Sequence, residues 1–505
     1  MLAHLRQYPL FVLLTMAGGA AMLIPAAQSL RNEEWHHARI FFQSGLLICA
    51  MAMLVGLAMM NRKTRDPVRS HLTALLLAFT VLPAILALPL VLLIDDLSWF
   101  KAWFEMLSSI TTTGASLFDA PFELPESVHL WRATVGWFGG FLILLAGFAV
   151  MQPLNLGGFE IRSMVQDSAR ALNLPQDAHG DGSDRIIRLV RVIAPAYLGM
   201  TALLVLGLVV AGERVYIAFA HGMSIISTSG ISPVGGLSGG TSGRMGEVIM
   251  AVFLLIAINA RLILIWQDRG WRTWIRRDPE LRLTGMIVVG MTVALFLRHW
   301  FAALAEGQQT DYSNMLNSIW GTVFTTLSYL TTTGFESRDW GAAQSWSGLN
   351  SPEIIFLGLA VIGGGVATTA GGVKLLRVFA LFKHSTRELE RLVYANSIGR
   401  SGIITRRVRR EGAYIAWIFL MLFAMSIALI AMALSLTGPR FEESVTLAIA
   451  ALTNTGPVIS TITDHSATYS ELSSTGLGIL AAAMVLGRLE LLAVIAMFNP
   501  DFWRR

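Results

Sequence analysis

The chain has 505 residues, of which 54% are hydrophobic and 14% charged, with a formal net charge of +5. Many apolar windows of about 20 residues, the length that spans a hydrocarbon core, follow one another with short polar connectors. That pattern excludes a set of soluble domains with charged surfaces and predicts one polytopic, all-α membrane body. The single cysteine, Cys49, lies inside an apolar run, so disulfides do not shape the monomer.

Two spans come first, at about residues 10–30 and 40–60. The stretch before them carries only His4 and Arg6, and no clear small-residue cleavage site follows, so the first span reads as retained. After this hairpin the order span, short amphipathic helix, polar phrase, span returns four times. The first unit runs over 72–93, 99–110 and 130–151, and the second over 187–210, 214–226 and 246–266. The third runs over 283–301, 314–330 and 352–381, and the fourth over 413–436, 441–452 and 476–497. The corresponding divisions are 1–65 for the N-terminal hairpin and 66–160, 161–270, 271–395 and 396–505 for the repeats, with ten spans in all.

The phrase after each short helix reads Thr111-Thr112-Thr113-Gly114, Ser227-Thr228-Ser229-Gly230, Thr331-Thr332-Thr333-Gly334 and Thr453-Asn454-Thr455-Gly456. One such tetrad is an ordinary polar turn, but four in the same apolar context predict a shared structure. Glycine places a carbonyl where a Cβ would clash, so four copies around one axis would form an oxygen-lined ring, the construction of a cation filter. The main-chain oxygens of the second and third residues of each phrase are the candidate ligands. Helices too short to span, ending in non-helical backbone, must be re-entrant and buried in protein or face a watery cavity. Their partially negative C-termini would favour a cation just beyond them.

Charge distribution sets the orientation. Arg62, Lys63, Arg65 and Arg69 share one connector, Arg269, Arg272, Arg276, Arg277 and Arg282 another, and Lys383, Arg387, Arg391, Arg406, Arg407, Arg409 and Arg410 a third. By the positive-inside rule these face the cytoplasm, as do both termini. The alternate connectors hold Asp95-Asp96, Asp119, Glu123, Glu126, Asp311 and Glu442-Glu443, where they concentrate cations outside. This layout is a membrane topology signal and not a nucleic-acid patch.

Within the third returning span, five glycines, Gly363, Gly364, Gly365, Gly371 and Gly372, flank Thr368 and Thr369 and precede Lys374. Each glycine costs about 1 kcal/mol relative to alanine in a helix interior, which predicts an irregular, cavity-lining segment. A small-residue packing surface is the competing reading; a phosphate-cradling loop is disfavoured because no strand precedes it. Arg488 lies mid-way along the last span, where a buried charge costs about 2.5–3.5 kcal/mol. Either it points into a cavity beneath the filter and sets a barrier there, or it holds loop carbonyls in place. Glu105, in the first short helix, is expected to brace the filter by accepting backbone donors. Metal-protease and cysteine-cluster motifs are missing and the ten histidines are scattered, so an enzyme is not indicated.

The four phrases, the added hairpin, the run Gly363–Lys374 and the closing Leu486-Gly487-Arg488-Leu489-Glu490 with Phe502-Trp503 resemble the Trk/Ktr/HKT superfamily of potassium transport subunits, above all its TrkH-type membrane subunit. The resemblance implies potassium as the ion, a homodimer in the bacterial inner membrane, and a glycine-loop gate. It also implies a TrkA-type cytosolic partner that carries the nucleotide, NAD(H) or ATP/ADP, with no cofactor on this chain. Potassium is favoured over sodium because all four filter glycines are present. The sequence departs from the family at Ser227, at Ala257-Ile258-Asn259-Ala260-Arg261 where a glycine pair is usual, and at Ala367 and Thr368. A cation symporter coupled to protons or sodium and a non-conducting scaffold or sensor are the alternative functions.

Overall fold

Among the described residues, seven helices are long and apolar enough to cross a membrane: Leu10–Arg31, Trp35–Met59, Ser70–Leu93, Glu126–Ala146, Ile186–Val210, Pro279–His299 and Gly412–Ser435. They come from a computed structural model that describes residues 8–59, 67–147, 182–267, 271–276, 278–306, 312–349, 352–393, 403–461 and 468–489. They account for seven of the ten expected spans. The third returning span is divided as its glycines predict, into helix Pro352–Ile362, an irregular stretch, and helix Leu375–Val393. The fourth is helical over Ser474–Leu489; its expected continuation, with Glu490, Phe502 and Trp503, lies outside the described residues.

The second returning span corrects the expectation of a continuous helix over 246–266. Helix Gly243–Leu254 passes into a 3-10 turn at Leu255–Ala257, breaks at Ile258-Asn259, and resumes as 3-10 helix over Ala260–Gln267. The break sits at Asn259, whose side-chain oxygen accepts the Arg261 amide at 3.0 Å. Asparagine competes with helix in this way by offering the backbone a local partner.

The four short helices are Trp99–Ile110, Val215–Ser227, Tyr312–Leu330 and Phe441–Thr453. Each packs against the returning helix of its own repeat and also against the returning helix of the repeat before it, with the fourth returning helix closing onto the first short helix. The chain therefore forms a closed ring of four units. The N-terminal hairpin attaches outside it, where Gln28 Nε2 and Asn32 Nδ2 donate to Glu126 Oε2 at 2.9 and 2.8 Å and Phe41 meets Trp131 edge-on.

Glycine sets how closely the ring can close. A Cβ added to Gly139 would lie 1.9 Å from the carbonyl oxygen of Ile110, and one at Gly487 2.1 Å from that of Leu452. Both glycines let a returning helix cross the last turn of a short helix at backbone contact, the small-residue packing that membrane interiors use. Gly139→Ala is expected to cost about 1–3 kcal/mol by overpacking against an immovable carbonyl, read as a lowered melting temperature of the purified protein. Gly199→Ala, where a Cβ would meet nothing within 4 Å, should leave the melting temperature unchanged.

Candidate functional site

All four short helices end in the same turn. The second residue of each phrase is left-handed, with φ of +52° at Thr112, +54° at Thr228, +58° at Thr332 and +55° at Asn454. The third residue's amide then reaches back to the carbonyl of Ser108, Ser224, Ser328 or Ala450, each at 2.9 Å. This is a Schellman cap, and asparagine at 454 is the residue that tolerates its left-handed position best. The first hydroxyl donates to the carbonyl four residues earlier, at 2.8 Å from Thr111, 2.7 Å from Ser227, 3.0 Å from Thr331 and 2.8 Å from Thr453. It also meets the third hydroxyl of its phrase at 2.8–3.1 Å. Ser227 therefore does the work of threonine in the second phrase.

The structure brings the four phrases together. A Cβ at Gly114 would lie 1.9 Å from Ser229 O, one at Gly230 2.3 Å from Thr333 O, and one at Gly456 2.3 Å from Ala115 N. At Gly334 the neighbour is Pro457, 3.1 Å away. Gly114, Gly230 and Gly334 also have positive φ, of +73°, +64° and +79°; Gly456 is required by proximity alone. The fourth phrase differs from the others: its Gly456 amide donates to Thr113 O at 2.6 Å, while Asn454 Nδ2 donates to Thr113 Oγ1 and to Met484 O, both at 3.0 Å. Two carbonyls proposed from sequence as ion ligands are thus engaged by protein: that of Thr113, and that of Thr455, which accepts the Val458 amide at 3.4 Å.

Behind the ring each phrase has a different brace. Counting back nine residues from the phrase glycines gives Glu105, His221, Thr325 and Leu447. Glu105 is fully buried, accepts the Leu117 amide at 3.0 Å and pairs with Arg132 at 2.5 Å. Arg132 Nη1 donates to His129 Nδ1 at 3.3 Å while His129 Nε2 lies 2.7 Å from Pro121 O, so this neutral ring carries its proton on Nε2. His221 bonds Ser232 at 2.9 Å, and Thr325 accepts the Ser337 amide at 3.2 Å. In the fourth unit Tyr469 OH donates to Gly456 O at 3.1 Å. A cross-repeat brace was missed from sequence: Glu247, 1% exposed, accepts Ser337 Oγ, Trp320 Nε1 and the Arg338 amide at 2.7–2.8 Å. An acidic residue inside an otherwise apolar span was the available signal, as was Arg132 in the first returning span.

The glycine stretch lies directly under this ring. Gly371 N donates to Thr332 Oγ1 at 2.7 Å, Thr369 Oγ1 to Ile226 O at 3.3 Å, and a Cβ at Gly371 would meet Thr453 O at 1.9 Å. Gly363 and Gly372 have φ of +73° and +77° and face each other closely enough that neither admits a Cβ, and a Cβ at Gly364 would lie 2.7 Å from Ala257 O. Gly365 N donates to Ala257 O at 3.0 Å, and Thr368 Oγ1 donates to Gly365 O at 2.7 Å. Lys374 Nζ donates to Ala370 O. Arg488, 3% exposed, donates through Nη1 to Thr369 O at 2.7 Å, and its Nε and Nη2 are buried without a protein partner among the described residues. The four phrases, the loop and Arg488 are therefore one contiguous assembly.

A TrkH family profile, described as cation transport protein, matches residues 244–505. The Trk system potassium uptake protein TrkH of Escherichia coli (strain K12) is 27% identical over 497 residues, covering 97% of this chain and 98% of that protein. The protein of the same name from Halomonas elongata is 28% identical over 479 residues, covering 92% and 94%. Among solved structures, the potassium transporter TrkH from Vibrio parahaemolyticus shares the fold with a TM-score of 0.79 at 23% identity, over 99% of this chain and 100% of that one.

The buried pair behind the first phrase generates a stability expectation. Arg132→Met strands the Glu105 charge and should cost about 3–5 kcal/mol, whereas Glu105→Gln combined with Arg132→Met should cost distinctly less than the sum of the two single changes. Thermal unfolding of the three variants in detergent checks this, and strict additivity would show that the two side chains do not act as a pair.

Proposed function

We propose that this chain, which belongs to the TrkH family of cation transport proteins, is the ion-translocating subunit of a Trk-type potassium uptake system in the bacterial inner membrane. The reading rests on one observation above all: four identically capped helix ends, buried at the centre of a ring, carry their phrases to within backbone contact of one another. Main-chain oxygens of Thr112, Thr113, Thr228, Ser229, Thr332, Thr333, Asn454 and Thr455 replace part of the ion's water shell, with the Thr113 oxygen released from Gly456 when the ion enters. Braces such as Glu105 hold those oxygens at a fixed spacing. The relatives' names, Trk system potassium uptake proteins, support potassium as the ion.

Transport is channel-like in this reading. The segment 363–374 forms the barrier beneath the filter, and Arg488 adds an electrostatic one: at about 4 Å and an effective dielectric near 20, like charges repel by about 4 kcal/mol. Helix Leu375–Val393 leaves the barrier directly for the basic cytoplasmic connector, which gives a TrkA-type nucleotide-binding partner a mechanical route to the loop. The chain works as a homodimer. A carrier coupling potassium to protons or sodium needs an ionisable side chain among the ion ligands, and the sixteen phrase residues offer none.

Purified protein in vesicles should take up potassium or rubidium, faster with its cytosolic partner. Gly114→Ser should shift the permeability ratio toward sodium, and an unchanged ratio would remove carbonyl coordination at that site. A reversal potential that follows pH or sodium at fixed potassium would establish a coupled carrier instead, and absence of any flux a scaffold.

Two residues beyond the third phrase, burial pushes the half-buried Glu336 carboxyl up to about 7. Below that pH it is neutral and above it anionic, so cation flux is expected to rise, about twofold, as external pH passes from 6 to 8. Glu336→Gln should flatten the profile at its low-pH level.

A further inference from the structure

The broken second returning helix and the glycine loop of the third repeat meet on a carboxylate that the filter does not use. Glu280, in the first turn of the third repeat's first span, is 1% exposed. Its Oε1 accepts the amide of Val366 at 3.0 Å, and its Oε2 accepts Asn259 Nδ2 at 3.2 Å. The same Asn259 amide reaches Asp278 Oδ2 at 2.9 Å, while Asp278 Oδ1 caps the span by accepting the amides of Glu280 and Leu281 at 2.9 and 3.1 Å. Beside these contacts Gly365 N donates to Ala257 O, and a Cβ at Gly365 would lie 1.8 Å from Ile258 O.

The loop is thus held at two ends of different kinds. Its downstream half, from Thr369 to Lys374, is tied to the filter and to Arg488. Its upstream half, Gly364 to Val366, is tied to Glu280 and to the break at Asn259. A buried carboxyl group is costly unless its oxygens are hydrogen-bonded, and both oxygens of Glu280 are. Asn259 supplies one of the donors.

We propose that Glu280, oriented by Asn259, is the latch of the loop: a positioning residue whose carboxyl group holds Val366 in the blocking arrangement and couples the loop to the start of the third repeat's first span. The inference rests on the reading of residues 363–374 as the barrier. Glu280 belongs to none of the four phrases and bonds the loop instead, so removing its side chain changes how often the loop opens and leaves selectivity alone.

The test uses the full chain in vesicles without a cytosolic partner, with rubidium uptake as the first readout. Glu280→Ala and Asn259→Ala should each raise uptake, by about tenfold for the former, the scale of one buried hydrogen bond. Glu280→Gln, which keeps an acceptor for Val366 N, should give a smaller rise of about threefold. The second readout is labelling of Thr368→Cys, in a Cys49→Ser background, by a water-soluble maleimide. Labelling should quicken in parallel with uptake, while the potassium-to-sodium ratio stays at its wild-type value. Deleting residues 364–371 separates the two hypotheses. If the deletion leaves uptake low, the loop is not the barrier. If the deletion raises uptake while Glu280→Ala and Asn259→Ala leave both readouts at wild-type levels, the latch is overturned. Should Glu280→Ala fail to fold, Asn259→Ala decides alone.

Discussion

Four helices that stop inside a membrane protein must each dispose of the carbonyl groups their last turn leaves unpaired, with no bulk water to receive them. Here the answer is one turn used four times: a left-handed second residue, a Schellman hydrogen bond from the third amide, and a hydroxyl that bonds back to the preceding turn. Everything central to the molecule follows from that cap. It fixes where each phrase leaves its helix, it demands the hydroxyl-bearing residues that make the phrase recognisable, and it delivers the glycines to the place where neighbouring backbones touch.

The polar groups behind the ring obey a second economy. Glu105 with Arg132, Glu247 with three donors, and Glu280 with two are all buried, and each carboxylate has partners supplied by a different element from its own or by the loop it supports. Partnered in this way a buried charge contributes little net stability. What it contributes is geometry: the loops it holds have no regular hydrogen-bond ladder to fix them, and directional bonds to a carboxylate replace one.

Much of this was legible in the sequence because the signals were periodic or costly. Spans announce themselves by length and hydropathy, the short helices by being too short, and the loop by glycines that weaken a helix interior; the short helices were placed to within about two residues of their observed starts and ends. The four phrases could be read as equivalent because a Schellman cap constrains side-chain type locally. What stayed hidden depends on contacts between distant segments. Nothing local marks Asn259 as a helix breaker that also reaches Asp278 and Glu280, and nothing marks Gly139 as the residue that meets Ile110 O. Glu105 was read as a brace, but the braces of the other three units were hidden for the same reason: nine residues back from the glycine the chain has Glu105, His221, Thr325 and Leu447, four side chains with no common chemistry, united only by position.

The fourth phrase, whose Gly456 amide and Asn454 side chain both turn to Thr113, shows what it means to write four walls into a single gene. In a homotetramer every inherited change is made four times at once, so a wall must be tolerable in quadruplicate or be lost. Here each wall is mutable alone. A lineage can alter one quadrant, keep three as a reference, and move the properties of the whole in quarter steps.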